Sequence, residues 1–458
     1  MYFVHTHENP GEAIAAIATP LGEGGVAIIR ISGTNALDVA ANVFSGPVHS
    51  YKSHTAHYGK ILNAKGEKVD DVLILVFRAP RSYTGENTVE IHCHGGSIIT
   101  RKVLETVLAA GARAAAPGEF TFRAFINGKL DLAQAEAVQE VICAKNERAL
   151  DAAEAHLEGR LSTKVKEFQH TLTHIAAILE AWVDFPEEGI EFATMDEIIQ
   201  SLQDAALSMQ KLLDTFHDGR IVHEGLSLCL IGCPNVGKSS LMNALLERSR
   251  AIVSDIPGTT RDLVEDHMRI SGLNFKLVDT AGIRETSEVI EQEGIRRSRH
   301  ALEKADVALL VLDSSRELHQ DDLHLIELAQ GKNTIAVWNK TDLSSQYIQT
   351  LPFNLSIQVS AVSGKGIEEL KKLIDQAVWE RGPPDKDEIL ITNIRHKEAL
   401  DASIEACLAV AEGLQNGVSP EFLAIDMRTA LISLGRIIGT DITEDVLTAI
   451  FSKFCIGK

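Results

Sequence analysis

One short run constrains this chain more than any other: Gly232-Cys233-Pro234-Asn235-Val236-Gly237-Lys238-Ser239, set between the apolar run Leu226 to Ile231 and the helical run Ser240 to Leu246. A strand, a glycine-rich turn and a helix in that order build a loop whose backbone N–H groups can face phosphates. The helix N-terminus adds positive potential to the same spot. Asn235, Val236, Gly237, Lys238, Ser239 and Ser240 are therefore expected to cradle a nucleoside triphosphate. Lys238 would reach the β- and γ-phosphates, and Ser239 would be a ligand of Mg²⁺. Such a loop needs a parallel sheet beneath it. Apolar runs at Phe275 to Val278, Val307 to Leu312, Thr334 to Trp338 and Leu355 to Val359, separated by helical segments, supply one.

The ends of those strands carry further chemistry. Asp279-Thr280-Ala281-Gly282 offers a carboxylate able to hold Mg²⁺ through water and a glycine able to approach the γ-phosphate. Asn339-Lys340-Thr341-Asp342 offers base recognition. Guanine presents N1–H and a 2-amino group together, so Asp342 can accept both, whereas adenine would leave it unpaired. Asn339 suits the other base edge, the Lys340 stem can cover the base plane, and Ser360 and Ala361 can present a backbone donor to O6. In the intervening loop, Gly258-Thr259-Thr260 reads as a switch, with Thr260 as second Mg²⁺ ligand. All four elements in order point to a GTP-binding domain.

Ile283 follows the Asp279 to Gly282 run, so the glutamine that often orients attacking water there is missing. Glu285, Glu288, Glu291 and Glu293 are nearby carboxylates, each of which also reads as a solvated loop charge. Arg261 and Arg284 are the arginine candidates for the transition state, and both also read as surface residues. A monovalent cation held by the Asn235 carbonyl and the switch loop could supply the charge instead.

Texture divides the chain of 458 residues into an α+β part (1–127), a helical part (128–222), the α/β part (223–381) and a second helical part (382–458). The α/β part reads as an insertion into one discontinuous helical domain. The formal net charge of -20 would repel a polyanion over most of the surface, so a nucleic acid would need a local basic patch. Arg296, Arg297 and Arg299 form a small cluster, which also reads as a solvated helix face. The six cysteines lack CxxC spacing and read as reduced thiols. No apolar run approaches the roughly 18 residues of a membrane span, and the first residues lack a leader pattern, so a cytoplasmic protein without membrane insertion is expected.

Beyond these motifs, the sequence resembles the MnmE (TrmE) family of tRNA-modification GTPases. The marks are Ala18-Thr19-Pro20-Leu21-Gly22-Glu23-Gly24-Gly25-Val26, Ser82-Tyr83-Thr84-Gly85-Glu86, His94-Gly95-Gly96, Pro117-Gly118-Glu119-Phe120, Asn127 to Leu132 and the closing run Cys455-Ile456-Gly457-Lys458. Glu23 departs from the basic or small residue usual in that glycine-rich turn. The resemblance implies a multidomain α/β and α+β architecture: a folate-binding, dimerising N-terminal domain, a discontinuous helical bundle and an inserted Ras-like P-loop G domain.

It further implies potassium-stimulated GTP hydrolysis through G-domain dimerisation. Asn235, Ser254, Ile256 and Thr259 would hold K⁺, Asp255, Pro257 and Gly258 would join the nucleotide contacts, and Glu291 would orient water. Arg30, Glu90, Lys129 and Lys458 would contact a tetrahydrofolate derivative, methylene- or formyl-, and Cys455 would have a possible modification role. The implied assembly is a homodimer joined by an FAD-dependent MnmG (GidA)-like subunit in a heterotetramer or larger complex. That pair would add an aminomethyl or carboxymethylaminomethyl group to C5 of the wobble uridine of certain tRNAs, the partner making most of the tRNA phosphate contacts. A regulatory GTPase switch without modification activity is the competing reading, as is a folate-binding scaffold. The run His92-Cys93-His94 is not a metal site, because strand neighbours point to opposite faces.

Overall fold

The computed structural model describes residues 11–20, 22–184, 194–247, 267–270, 272–278, 299–379, 382, 384–385 and 388–457. The chain divides into two compact units, one of residues 1–143, 153–213 and 395–458 and one of residues 144–152 and 214–394.

The first unit begins with a six-stranded sheet in the order β3-β4-β5-β2-β1-β6. Its strands are β1 (Ile14–Ile17), β2 (Gly24–Ser32), β3 (Thr55–Leu62), β4 (Lys68–Phe77), β5 (Thr88–Gly95) and β6 (Arg113–Ala114). All neighbours are antiparallel except β1 and β6. Period-two alternation puts Ala27, Ile29, Ile31, Val72, Ile74, Val76, Val89, Ile91 and Cys93 on one face, buried beneath α1 (Ala36–Val43) and α2 (Ser97–Ala109). The opposite face carries Arg30, Glu90 and His92, together with the exposed apolar side chains Val26, Tyr58 and Leu73. Helices follow the sheet in this unit: α3 (Glu119–Ile126), α4 (Leu132–Cys143), the end of α5 (Glu147–Leu157), α6 (Arg160–Asp184) and α7 (Met195–Leu213).

The second unit opens with α8 (Phe216–Glu224) and holds the sheet that the phosphate loop requires. Its strands are β7 (Leu226–Ile231), β8 (His267–Ile270), β9 (Leu273–Val278), β10 (Val307–Asp313), β11 (Thr334–Asn339) and β12 (Leu355–Gln358), in the order β12-β11-β10-β7-β9-β8. Every pairing is parallel except that of the edge strand β8. Strands β10 and β11 are buried along their whole length, as a parallel sheet covered on both faces demands. Helices α9 (Lys238–Glu247), α10 (Gln320–Ala329) and α11 (Ile367–Val378) follow β7, β10 and β12 in the chain.

The chain then returns to the first unit through α12 (Ile394–Gln415), α13 (Pro420–Ile438) and α14 (Glu444–Phe451). Helix α13 packs along α6. It starts with Ser419 in extended backbone and Pro420 in its first turn, and stops at Gly439 in the left-handed region, the boundary chemistry expected from capping. A small aromatic core of Phe122, Phe451 and Phe454 joins α3 to the closing residues.

Candidate functional site

The carboxyl ends of β7, β10, β11 and β12 converge on the phosphate loop, where a doubly wound sheet places its ligands. Gly237 has φ +95°, and a Cβ added there would lie 2.3 Å from Asn339 Nδ2, so only glycine allows the loop and the base motif to touch. Asn235 also adopts positive φ, at 63°. Lys238 Nζ donates to the carbonyls of Gly232 at 2.8 Å and Cys233 at 2.9 Å, which holds the ammonium over the loop. Burial lowers the Lys238 pKa, the nearby Cys233 opposing it. An approaching polyphosphate would supply this desolvated cation with a counter-charge. Ser239 and Ser240, at the opening of α9, stand beside it, and Val236 is buried beneath.

The base motif is cross-braced. Asn339 is buried, donates Nδ2–H to the Val236 carbonyl at 2.9 Å, and accepts the Ala361 N–H on Oδ1 at 3.0 Å. The Ala361 N–H, expected to face a base oxygen, is thus engaged by Asn339. Lys340 takes positive φ at 66°, and its Nζ pairs with Asp313 Oδ2 at 2.7 Å, stretching the stem across the end of β10. Burial would raise the Asp313 carboxyl, but the hydrogen bonds from Lys340 and Ser315 hold it below its usual range. Asp342 is exposed and accepts from Ser360 Oγ at 2.6 Å. Sequence reasoning passed over Asp313, although its place at a strand end was a usable signal.

Ser254, Asp255, Ile256, Pro257, Gly258, Thr259, Thr260, Asp279, Thr280, Ala281, Gly282 and Glu291 lie outside the described residues, as does Lys458. The same holds for Arg261, Arg284, Glu285, Glu288, Glu293, Arg296 and Arg297.

A second constellation lies on the open sheet face of the first unit. Arg30 on β2 and Glu90 on β5 are register partners, and Arg30 Nε donates to Glu90 Oε1 at 2.9 Å. The Arg30 guanidinium lies 5.7 Å from both the Tyr83 and Phe120 ring centroids, and Nη1 donates to the Gly457 carbonyl at 3.3 Å. Gly457 itself, at φ +96°, fits against β1, where an added Cβ would meet the Ile17 carbonyl at 2.3 Å. The Cys455 carbonyl accepts from Gly118 N at 3.3 Å, and the Cys455 thiol belongs to an exposed residue. Lys129 is exposed and its Nζ donates to the Pro80 carbonyl at 3.3 Å. Arg30, Glu90 and the closing run therefore meet, with Tyr83 alongside and its hydroxyl within 2.9 Å of Thr121 Oγ1. A guanidinium, a carboxylate and two aromatic faces suit a planar ring bearing both donors and an anionic tail. Among the described residues no cluster of three His, Cys, Asp or Glu side chains could hold a metal ion, and no helix is long and apolar enough to cross a membrane.

A Ras-like sheet with a phosphate loop at one strand end and an Asn-Lys-x-Asp motif at another defines a P-loop GTPase domain. Residues 132–455 match the family described as the MnmE helical domain, and residues 13–129 match the GTP-binding protein TrmE N-terminus. A tRNA modification GTPase MnmE of Protochlamydia amoebophila (strain UWE25) is 65% identical over 458 residues, covering 100% of both chains. Others carrying that name, from Moorella thermoacetica and Alkaliphilus oremlandii, are 45% and 42% identical over 98% of this chain and 99% of theirs. The chain belongs to the tRNA modification GTPase MnmE family.

Proposed function

We propose that this GTPase works with an FAD-dependent MnmG (GidA)-like subunit to add an aminomethyl or carboxymethylaminomethyl group to C5 of the wobble uridine in certain tRNAs. A tetrahydrofolate derivative bound at Arg30, Glu90, Lys129 and Lys458 would supply the one-carbon unit. The observation that carries this reading is the meeting of Arg30, Glu90 and Gly457 on the sheet, in a chain that also holds a complete phosphate loop. A regulatory switch would have no use for the first of these.

On this reading Lys238 neutralises the β- and γ-phosphates, Ser239 and Thr260 hold Mg²⁺, and Asp279 to Gly282 sense the γ-phosphate. Asp342 accepts the two guanine donors and rejects adenine, while Lys340, tethered by Asp313, covers the base. Glu291 orients water in place of the missing glutamine. Asn235, Ser254, Ile256 and Thr259 would hold K⁺, which would supply positive charge to the transition state. GTP hydrolysis reorganises the complex and is not chemically part of carbon transfer.

On this reading 1–127 is the folate-binding domain that dimerises through its open face, 128–222 and 382–458 make the helical domain, and 223–381 is the G domain, although the compact unit around the phosphate loop also takes in 144–152, 214–222 and 382–394. The exposed Val26, Tyr58 and Leu73 on that face support a homodimer, to which the partner adds to form a heterotetramer or larger complex in the cytoplasm. Measuring GTP turnover in matched potassium and sodium buffers tests the hydrolytic half: faster turnover in potassium is expected, and equal rates would remove K⁺ from the account.

A further inference from the structure

Glu90 is followed two residues later on β5 by His92, so both side chains rise from the same open face as Arg30. His92 Nε2 is buried and has no hydrogen-bond partner among the described residues. It lies 3.8 Å from Glu90 Oε2, beyond hydrogen-bond reach, while Glu90 Oε1 is taken by Arg30. The residues paired with His92 across the sheet are Ile28 on β2 and Leu73 on β4, which offer it no polar side-chain contact. Its neighbours in the sequence are accounted for otherwise. Cys93 is buried on the far face, and His94 Nδ1 sits 2.7 Å from Asp70 Oδ1. A ring nitrogen left buried and unpaired beside a carboxylate is an arrangement that a ligand can complete.

We propose that His92 is a specificity-determining residue of the Arg30–Glu90 site, donating Nε2–H to the 4-oxo group of a pteridine whose edge is held by Glu90. This role rests on the folate reading of the site. Such an edge carries, side by side, a 2-amino donor, an N3–H donor and a carbonyl acceptor. Glu90 accepts from the two donors, and the acceptor beside them requires a protein donor next to the carboxylate. Arg30 occupies the Oε1 side of that carboxylate, and His92 is the donor on its Oε2 side. A 2,4-diaminopteridine reverses the pattern at that end, with an amino group at position 4 and a bare N3. It would bring a donor against the His92 donor and a lone pair against Glu90, so the pair discriminates by repulsion as well as attraction.

The test is a titration of the full chain with 5-formyltetrahydrofolate and, separately, with a 4-amino-4-deoxy folate analogue, using wild type, His92→Phe, His92→Gln and Glu90→Gln. His92→Phe is expected to weaken binding of the 4-oxo ligand about 10- to 100-fold, the loss of one buried hydrogen bond, while leaving the 4-amino ligand unchanged or tighter. His92→Gln, which keeps an N–H donor, is expected to recover most of the preference. A His92→Phe protein that keeps the wild-type ratio between the two ligands overturns the proposal, as does a His92→Gln protein no better than His92→Phe. If Glu90→Gln weakens the 4-oxo ligand while His92→Phe keeps the ratio, only the role of His92 falls. If wild type does not bind 5-formyltetrahydrofolate, or Glu90→Gln binds it as tightly as wild type, the folate reading itself falls.

Discussion

Asn339 Nδ2 donates to the carbonyl of Val236 at 2.9 Å, joining the base-recognition motif to the phosphate loop across 103 residues of chain. The same side chain accepts the Ala361 N–H, so one buried amide ties the phosphate loop to the ends of β11 and β12. Asn339→Ala would leave a carbonyl and an N–H unpaired, at a cost of about 1–3 kcal/mol. The expected outcome is a lower urea midpoint followed by tryptophan fluorescence, to which the adjacent Trp338 contributes, together with GTP affinity reduced at least tenfold. An unchanged midpoint would show that the brace contributes nothing.

Asp342 carries the base choice. Replacing it with Asn exchanges an acceptor for a donor at the position facing the guanine 2-amino group, which disfavours GTP and favours a base with an oxygen there. Asp342→Asn is expected to lower GTP affinity by about 10²-fold or more and to gain affinity for xanthosine triphosphate. Competition titrations with both nucleotides check it. Retained preference for GTP would mean that another group selects the base.

A buried carboxylate in the helical part sets an acid limit. Glu136 on α4 receives Arg395 Nε at 3.2 Å and Nη2 at 2.5 Å, and His396 Nε2 lies 2.9 Å from its Oε2. Burial pushes this carboxyl up, but His396 and the Arg395 guanidinium outweigh it and hold the pKa at about 2, below the ordinary 4.5. A carboxyl depressed in the folded state contributes stability above its unfolded pKa and loses it as pH falls through the folded one. That stability is lost as pH falls from about 4.5 toward 2, and protonation of His396, whose pKa burial lowers, adds to the loss. Protection factors of the α4 and α12 amides, referred to the intrinsic exchange rate at each pH, should therefore fall across that window in wild type, and Glu136→Gln, destabilised at pH 7, should show a flatter response. Equal pH dependence in the two proteins would contradict the assignment.

Much of the nucleotide unit was legible because its physics is local. Val307–Asp313 is buried on both faces and reads as a continuous apolar run, and a glycine-rich turn between strand and helix has few other uses. The edge strand His267–Ile270 is not legible in the sequence, because four residues with two polar side chains carry too little periodicity. The helical texture of 128–222 did not disclose that residues 144–152 group with the nucleotide unit, where Asn146 Nδ2 donates to the Val222 carbonyl at 3.1 Å. Periodicity reports that a helix has an apolar face and says nothing about what covers it. Family resemblance places Arg30 and Lys458 on one ligand, whereas the contact of Arg30 with the Gly457 carbonyl, 427 residues away, and the unpaired nitrogen of His92 are visible only in three dimensions.

Nucleoside analysis of tRNA tests most directly whether the GTPase cycle of this chain serves tRNA modification. Lys238 is the residue to vary, since its Nζ is held on the Gly232 and Cys233 carbonyls where phosphates would arrive. In a strain lacking this chain, wobble uridines should lose their C5 aminomethyl or carboxymethylaminomethyl groups; the wild-type chain should restore them and Lys238→Ala should not. Unchanged wobble uridines in the deletion strain, or full restoration by Lys238→Ala, would contradict the account.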